Sequence, residues 1–294
     1  MSKTHALKNY LPVKFESGPQ ANDQRLATIK ALRKRRPTDL SRTHSMWVAR
    51  ILGKCSKARP CKVEACPRCR RVYRKSFVKA FLKSELQHAI WTRVSIIPDG
   101  LLFPEGELKN ANLKAIIKRL NKNIQRSNLA DAIIIGGIDI SLNVFENDVQ
   151  GWQLHLYFLI NRPLTNTLKT SINDAFNKGA DKSFSFKEIK SDKQTPLQKH
   201  IGRALTYVYK NGFNRRSSYY EARLKRDGSP RINVRSLPLK AHQLAELSSW
   251  LGKYSVGDRL FLRNIKRLRA APLSMKFSLQ SALIKQSLSP QKRE

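Results

Sequence analysis

Two apolar runs lie close together in the middle of the chain, AIIIGGIDISL at 132–142 and GWQLHLYFLI at 151–160, with the polar loop NVFENDVQG between them. Each reads as a buried strand, and so short a loop makes the pair a hairpin. Successive side chains of a strand alternate between its faces. Gln153, His155 and Tyr157 therefore share one face, and Leu154, Leu156, Phe158 and Ile160 the other. In the first run Asp139 and Ser141 share a face, with Ile138, Ile140 and Leu142 opposite. If the loop is symmetric about Asn147, Asp139 falls directly across from His155, a register that a bulge would spoil. Asp139, His155 and Tyr157 would then lie together. The alternative is the ordinary polar face of a half-exposed sheet.

The elements around this hairpin predict the fold class. WTRVSII (91–97) reads as a strand, ELKNANLKAIIKRLNKNIQRS (107–127) as an amphipathic helix with Leu113, Ile116, Ile117 and Leu120 on one face, LTNTLKTSINDAF (164–176) as a helix and SFSFKEIK (183–190) as a strand. Strand, helix, strand, strand, helix, strand is the split βαβ, or ferredoxin-like, order. It predicts an α+β protein with an antiparallel sheet and helices on one face. Further helices are expected at 24–36, 70–88 and 196–211. The expected division is a basic flexible arm (1–45), a zinc knuckle and helix (46–88), a domain built on the sheet (89–215) and a basic helical C-terminal region (216–294).

All four cysteines fall in CSKARPCKVEACPRCR, at Cys55, Cys61, Cys66 and Cys69. In a reducing compartment that pattern reads as a metal knuckle. The closing CPRC has the spacing that lets two thiolates reach one Zn²⁺, although the first gap is longer than usual. Four thiolates leave no open position, so the zinc is expected to be structural.

The charge balance is extreme, 57 Lys+Arg against 21 Asp+Glu, a net +36. Basic clusters at 30–36, 69–75, 211–226 and 263–269 point to a polyanion, with nucleic acid the commonest. Arg68, Arg70, Arg71, Arg74 and Lys75 surround the knuckle and are expected to face phosphates, as are Arg203 and the pair Arg215 and Arg216. No apolar run is long enough to span a membrane, and no secretory signal is legible, so the cytoplasm is the expected compartment.

KHIGRALTYVYKNGF (199–213) carries the remaining chemistry. On a helix, Ile201, Ala204, Leu205 and Val208 form the apolar stripe, while His200, Arg203, Tyr207 and Lys210 cluster on another face. Tyr209 falls on the opposite flank, nearer the core. Tyr207 thus has cationic company, which favours phenolate and stabilises charge at an attacked phosphate.

Together these residues resemble the HUH-endonuclease rolling-circle replication initiators of plasmids and small phages. The GWQLHLY segment is similar to that family's metal strand, YVYK to its Tyr-x-x-Lys nucleophile motif, and CKVEACPRCRRVYRKSF to the cysteine-rich segment of its plasmid-type members. The resemblance implies nicking of single-stranded or hairpin origin DNA. Tyr207 would be the nucleophile, with Tyr209 as the alternative, and Lys210 would stabilise charge. The products would be a 5′-phosphotyrosine bond and a 3′-hydroxyl primer. It also implies Mg²⁺ or Mn²⁺ held by His155 and Asp139, with Tyr157 where the family has a second histidine. No P-loop is encoded, so a host helicase and polymerase are expected partners. The rival reading is a catalytically degenerate, non-enzymatic zinc-knuckle regulator that binds DNA or RNA.

Overall fold

The computed structural model describes residues 15–34, 41–98, 100–146, 148–176, 184–190, 197–224, 228–271 and 273–279. The start of the predicted arm and the end of the basic tail lie outside these residues. The fold is α+β, with a curled mixed sheet and seven α-helices among the described residues.

The predicted hairpin forms its centre. Strands β3 (Ile134–Phe145) and β4 (Asp148–Ile160) run further than the apolar runs alone imply, and the loop shrinks to a tight turn in which Glu146 takes a φ of 45°. Asp139 pairs directly with His155. The route to that register is not the symmetric loop. The turn pairs Phe145 with Asp148, which alone would put the strands one residue out of step, and a bulge that adds Gln150 to β4 restores it.

Strand β1 (Trp91–Ile96) pairs antiparallel with β4, and β5 (Phe184–Ile189) pairs antiparallel with β1, so four strands run in the order β5-β1-β4-β3. The apolar sides of β3 and β4 are buried throughout. Helix α4 (Leu113–Gln125), capped by the Asn112 side chain on the Ala115 amide at 3.1 Å, buries Leu113, Ile116, Leu120 and Ile124 and contacts α5 (Asn166–Phe176).

Three expectations need correction. Helices do not keep to one face: α6 (Leu197–Val208) packs on the side of β3 and β4 that bears Asp139, His155 and Tyr157. Glycine makes that approach possible, since a Cβ on Gly137 would lie 1.8 Å from the Val208 carbonyl oxygen; on the opposite face, one on Gly136 would strike the Phe261 ring of the neighbouring strand. The sheet is not purely antiparallel, because β6 (Arg215–Leu224) pairs parallel with the end of β3 and carries β7 (Pro230–Leu237) outward as a hairpin. The C-terminal region is not mainly helical. Besides β6 and β7 it holds α7 (Ala241–Leu251), β8 (Leu260–Arg263) on the same edge of β3, and the pair β9 (Ile265–Ala271) and β10 (Ser274–Leu279). The short β2 (Leu102–Phe103) adds to β4.

Residues 18–34, expected in the arm, form α1 (Gly18–Lys34). It packs on α2 (Ser41–Gly53), α3 (Pro67–Leu82) and α7, burying Ala21, Ile29, Ala31 and Leu32. One apolar core runs without a break from Ile29 to Ile265, through the cysteine segment and the sheet. No helix among the described residues is long and apolar enough to cross a membrane.

Candidate functional site

The four cysteine sulfurs come together, all within 4.8 Å of one another. Cys55 and Cys69 are 3.6 Å apart, Cys61 and Cys69 3.7 Å, and Cys66 and Cys55 3.7 Å. Disulfides are much shorter. Four sulfurs bonded tetrahedrally to one Zn²⁺ stand about 3.8 Å apart, given Zn–S bonds of about 2.3 Å. The cluster therefore suits a metal ion such as zinc. Its loop is anchored to the segment after α7, where the Glu64 amide donates to the Tyr254 carbonyl and the Val256 amide to the Lys62 carbonyl, each at 2.8 Å.

Glu64 reaches from this loop into the middle of the protein. Its carboxylate accepts from Arg259 Nε at 2.6 Å, the Tyr209 hydroxyl at 2.6 Å and the Gly257 amide at 3.0 Å. Arg259 then donates to the carbonyls of Ile138 and Lys210, each at 2.8 Å. Burial, the largest single influence, would lower the guanidinium's pKa, but the charge and hydrogen bond of Glu64 together with Tyr209 and Asp139 outweigh it and the value ends raised. Tyr209 is fully buried and its pKa is pushed well up by that burial and by Glu64. It is a core residue. The sequence signal for this hub was a lone acid inside a strongly basic loop: in an acid-poor chain such a residue calls for an internal partner.

Tyr207 has the opposite setting. It is 57 % exposed, and its ring lies 5.9 Å from that of Tyr157, tilted by 32°. It lines a groove of about 440 Å³ with Arg93, Lys187, Lys190, His200 and Arg203, and with Glu188, which pairs with Lys190 at 3.4 Å. Arg203 was a sequence candidate; Arg93, Lys187 and Lys190 were not, because nothing in their local segments sets them apart. Lys210 lies just beyond the end of α6, held there by Arg259 on its carbonyl, and its ammonium is 3.2 Å from Asp139 Oδ2. Asp139 Oδ1 is buried without a hydrogen-bond partner among the described residues.

His155 is buried and its Nε2 lies 2.9 Å from Ser141 Oγ. Ser141 Oγ also lies 3.1 Å from Asn143 Oδ1; when its one proton goes there, the ring tautomer that completes both bonds carries its proton on Nε2 and its lone pair on Nδ1. Burial lowers the His155 pKa to about 4, against a raising effect of Asp139, with Arg216 and Lys210 adding to the fall. The imidazole is neutral at pH 7. Tyr157 is pushed the other way, up to about 12, chiefly by burial and despite nearby Arg93, so it stays a phenol. A second cavity, also about 440 Å³, opens beside His155 and includes Asn143, Gln153 and exposed Arg216.

The basic residues of the knuckle divide sharply. Arg70 and Arg74 are buried and turned inward: Arg70 Nε donates to Asn211 at 2.9 Å with its guanidinium 4.7 Å from the Phe213 ring, and Arg74 pairs with Glu16 at 3.0 Å and reaches the Thr206 carbonyl. Burial lowers both pKa values. They tie α3 to α6 and cannot face phosphates as expected. Arg68 donates to the Cys55 carbonyl at 3.0 Å, Arg71 to the Glu16 carbonyl, and Lys75 lies 5.5 Å from the Phe15 ring. Arg215 is half-buried at the start of β6. The GW that precedes the strand motif also has structural work. At Gly151, whose φ is 124°, any side chain would meet the Phe103 carbonyl oxygen, a Cβ lying 2.5 Å from it, and the Trp152 indole donates to buried Glu246 at 2.9 Å.

No protein family, curated protein or solved structure matches this chain.

Proposed function

We propose that the protein is a DNA replication initiator of the HUH-endonuclease kind, in which Tyr207 nicks a single strand at an origin. The observation that carries this reading is the setting of Tyr207. It is exposed at the mouth of a cationic groove, against the strand that bears His155, three residues before a lysine paired with Asp139. The strand order β5-β1-β4-β3, antiparallel throughout with helical crossovers, supports a ferredoxin-like core.

In this mechanism the strand lies in the groove with its phosphates against Arg93, Lys187, Lys190 and Arg203. The Tyr207 oxygen attacks the scissile phosphorus as its proton passes to water in the open groove. The bond to the 3′-oxygen breaks, that oxygen takes up a proton from water, and the 5′-phosphate stays on Tyr207. Lys210 offsets charge at the phosphate. Asp139 Oδ1 and the neutral His155 ring would be the donors for Mg²⁺ or Mn²⁺. Such a cation polarises the scissile phosphate when bound. The Cys55, Cys61, Cys66 and Cys69 cluster, holding Zn²⁺, is structural in this reading.

A second reading has its own observation. Lys210 already occupies one oxygen of Asp139, Ser141 engages His155, and Tyr157 is a neutral phenol. That donor set also suits a relative that binds DNA without cutting it. Incubation with origin single strand and Mn²⁺ separates the two. A nickase gives a covalent protein–DNA adduct that survives denaturation, is abolished by Tyr207→Phe with binding retained, and persists in a folded Tyr209→Phe. No adduct under any divalent cation selects the binding protein.

A further inference from the structure

Beyond Ser218 the β6–β7 ribbon has no strand partner outside itself among the described residues. Its partner β3 pairs with β6 only from Arg215 to Ser218, yet the two ribbon strands continue together past Tyr220 and Ile232. β7 is exposed from Pro230 through Ser236. Directly paired residues share a face, so the ribbon has two distinct sides. One carries Tyr219, Glu221, Arg231, Asn233 and Arg235. The other carries Arg216, Ser218, Tyr220, Ile232 and Val234.

The polar side is satisfied within itself. Arg231 pairs with Glu221 at 3.0 Å, Asn233 donates to the same carboxylate, and Arg235 donates to the Tyr219 hydroxyl while lying 4.7 Å from its ring. The other side has no such closure. Tyr220 is 49 % exposed, Ile232 52 % and Val234 44 %. An edge ribbon in water is normally blunted by charge; this side instead offers a ring and two branched apolar chains. It is also continuous with the candidate site. Phe145, on β3, meets the Tyr220 ring edge-on at 5.2 Å, and Phe145, Arg216 and Ser218 line the same cavity as His155.

We propose that this side of the ribbon is a stacking platform for single-stranded nucleic acid leaving the site past His155. Its bases lie on Tyr220 and Phe145 and against Ile232 and Val234, and its backbone meets Arg216. This rests on the nicking reading for its direction, and on the ribbon alone for its ligand. An aromatic and apolar surface next to a cation, in a chain of net charge +36, is the chemistry that holds unpaired bases without regard to sequence. A duplex hides its base faces, and its major groove would call on the polar side, whose cations are already engaged.

The test uses the full chain and fluorescent oligo-dT in an anisotropy titration across a salt series. Tyr220→Ala is expected to weaken binding about tenfold or more with the salt slope unchanged. Arg216→Ala is expected to reduce both affinity and slope. Ile232→Ser, an exposed change far from the core, is the second probe and should weaken oligo-dT binding in the same direction. Full affinity in both Tyr220→Ala and Ile232→Ser overturns the proposal. So does an equal loss for duplex of the same length, or a loss traced by sedimentation to a disrupted dimer. The two readings fail separately. Weakened oligo-dT binding without any adduct in the wild type keeps the platform and removes the nickase; a normal adduct with unweakened variants does the reverse.

Discussion

Glu64 and Arg259 form a fully buried ion pair, 2.6 Å from carboxylate oxygen to Nε, that joins the cysteine loop to the chain on both sides of the candidate site. Arg259 spends its other donors on the carbonyls of Ile138, next to Asp139, and of Lys210. The cysteine cluster and the candidate site are thereby parts of one hydrogen-bonded unit. Glu64→Gln keeps the shape and removes the charge, leaving a guanidinium buried without its counter-ion. The expected loss is roughly 3–5 kcal/mol of unfolding free energy, read as a lower urea midpoint. A midpoint within error of the wild type would show that the pair does not hold the unit together.

The cysteine cluster should retain one zinc per chain through purification. Cys66 is completely buried, and its sulfur is 3.7 Å from that of Cys55. Cys66→Ser should therefore lose the metal and lower the unfolding midpoint, because a structural zinc contributes folding energy directly. Elemental analysis of both proteins checks this; zinc-free wild type of normal stability contradicts it.

Gly137→Ala tests how α6 is seated. The added methyl would meet the Val208 carbonyl oxygen, a backbone atom that cannot swing aside, so helix and strand must separate. About 1–3 kcal/mol of stability should go, and Tyr207 and Lys210 should shift relative to β4. Thermal unfolding measures the first effect, and the yield of any DNA adduct the second.

His155 gives the stability a specific dependence on pH. Its pKa falls to about 4 in the folded protein, against about 6.5 in an unfolded chain. Between these values the unfolded chain binds the extra proton, so stability drops as pH falls from 6.5 to 4 and levels off below. The contribution is about 3 kcal/mol for a shift of this size. Urea titrations without Mg²⁺ or Mn²⁺ should show His155→Gln with a smaller drop over that window than the wild type. Equal drops would mean that the ring is charged when folded.

The register of the central hairpin was legible in the sequence because burial demands it. Every even-numbered residue from Leu154 to Ile160 is apolar, as are Ile138, Ile140 and Leu142 facing them, so only one pairing parity hides both sets. The bulge that achieves it was not legible, since Gln150 has no apolar pattern to mark it. The split between Tyr207 and Tyr209 followed from helical geometry. Lys210 did not, because it lies past the helix end and is placed by Arg259, more than forty residues away. The ribbon was missed for a plain reason: RRSSYYEARL and PRINVRSL project from the sheet and have no core side, so they lack the alternation by which strands are recognised. Arg70 and Arg74 were misread because charge in a sequence is assumed to face water, whereas Asn211, Glu16 and the Thr206 carbonyl offer them partners inside.

Tyr157→His is the change that asks most about the chemistry. Tyr157 and His155 are two positions apart on one face of β4, about 7 Å along the strand, and the Tyr157 ring packs beside Tyr207. With its pKa raised to about 12 the phenol stays neutral, and a neutral phenol is a poor ligand for a hard cation. An imidazole there adds a nitrogen donor on the side of the nucleophile. If the proposed nickase holds Mn²⁺ at His155 and Asp139, the histidine variant should form adduct at lower Mn²⁺ than the wild type. Tyr157→Phe should need as much as the wild type, since it keeps the ring against Tyr207 and adds no donor. A Mn²⁺ titration of adduct yield across the three proteins decides the matter. Superimposable curves for wild type and Tyr157→His would place the cation away from this strand face.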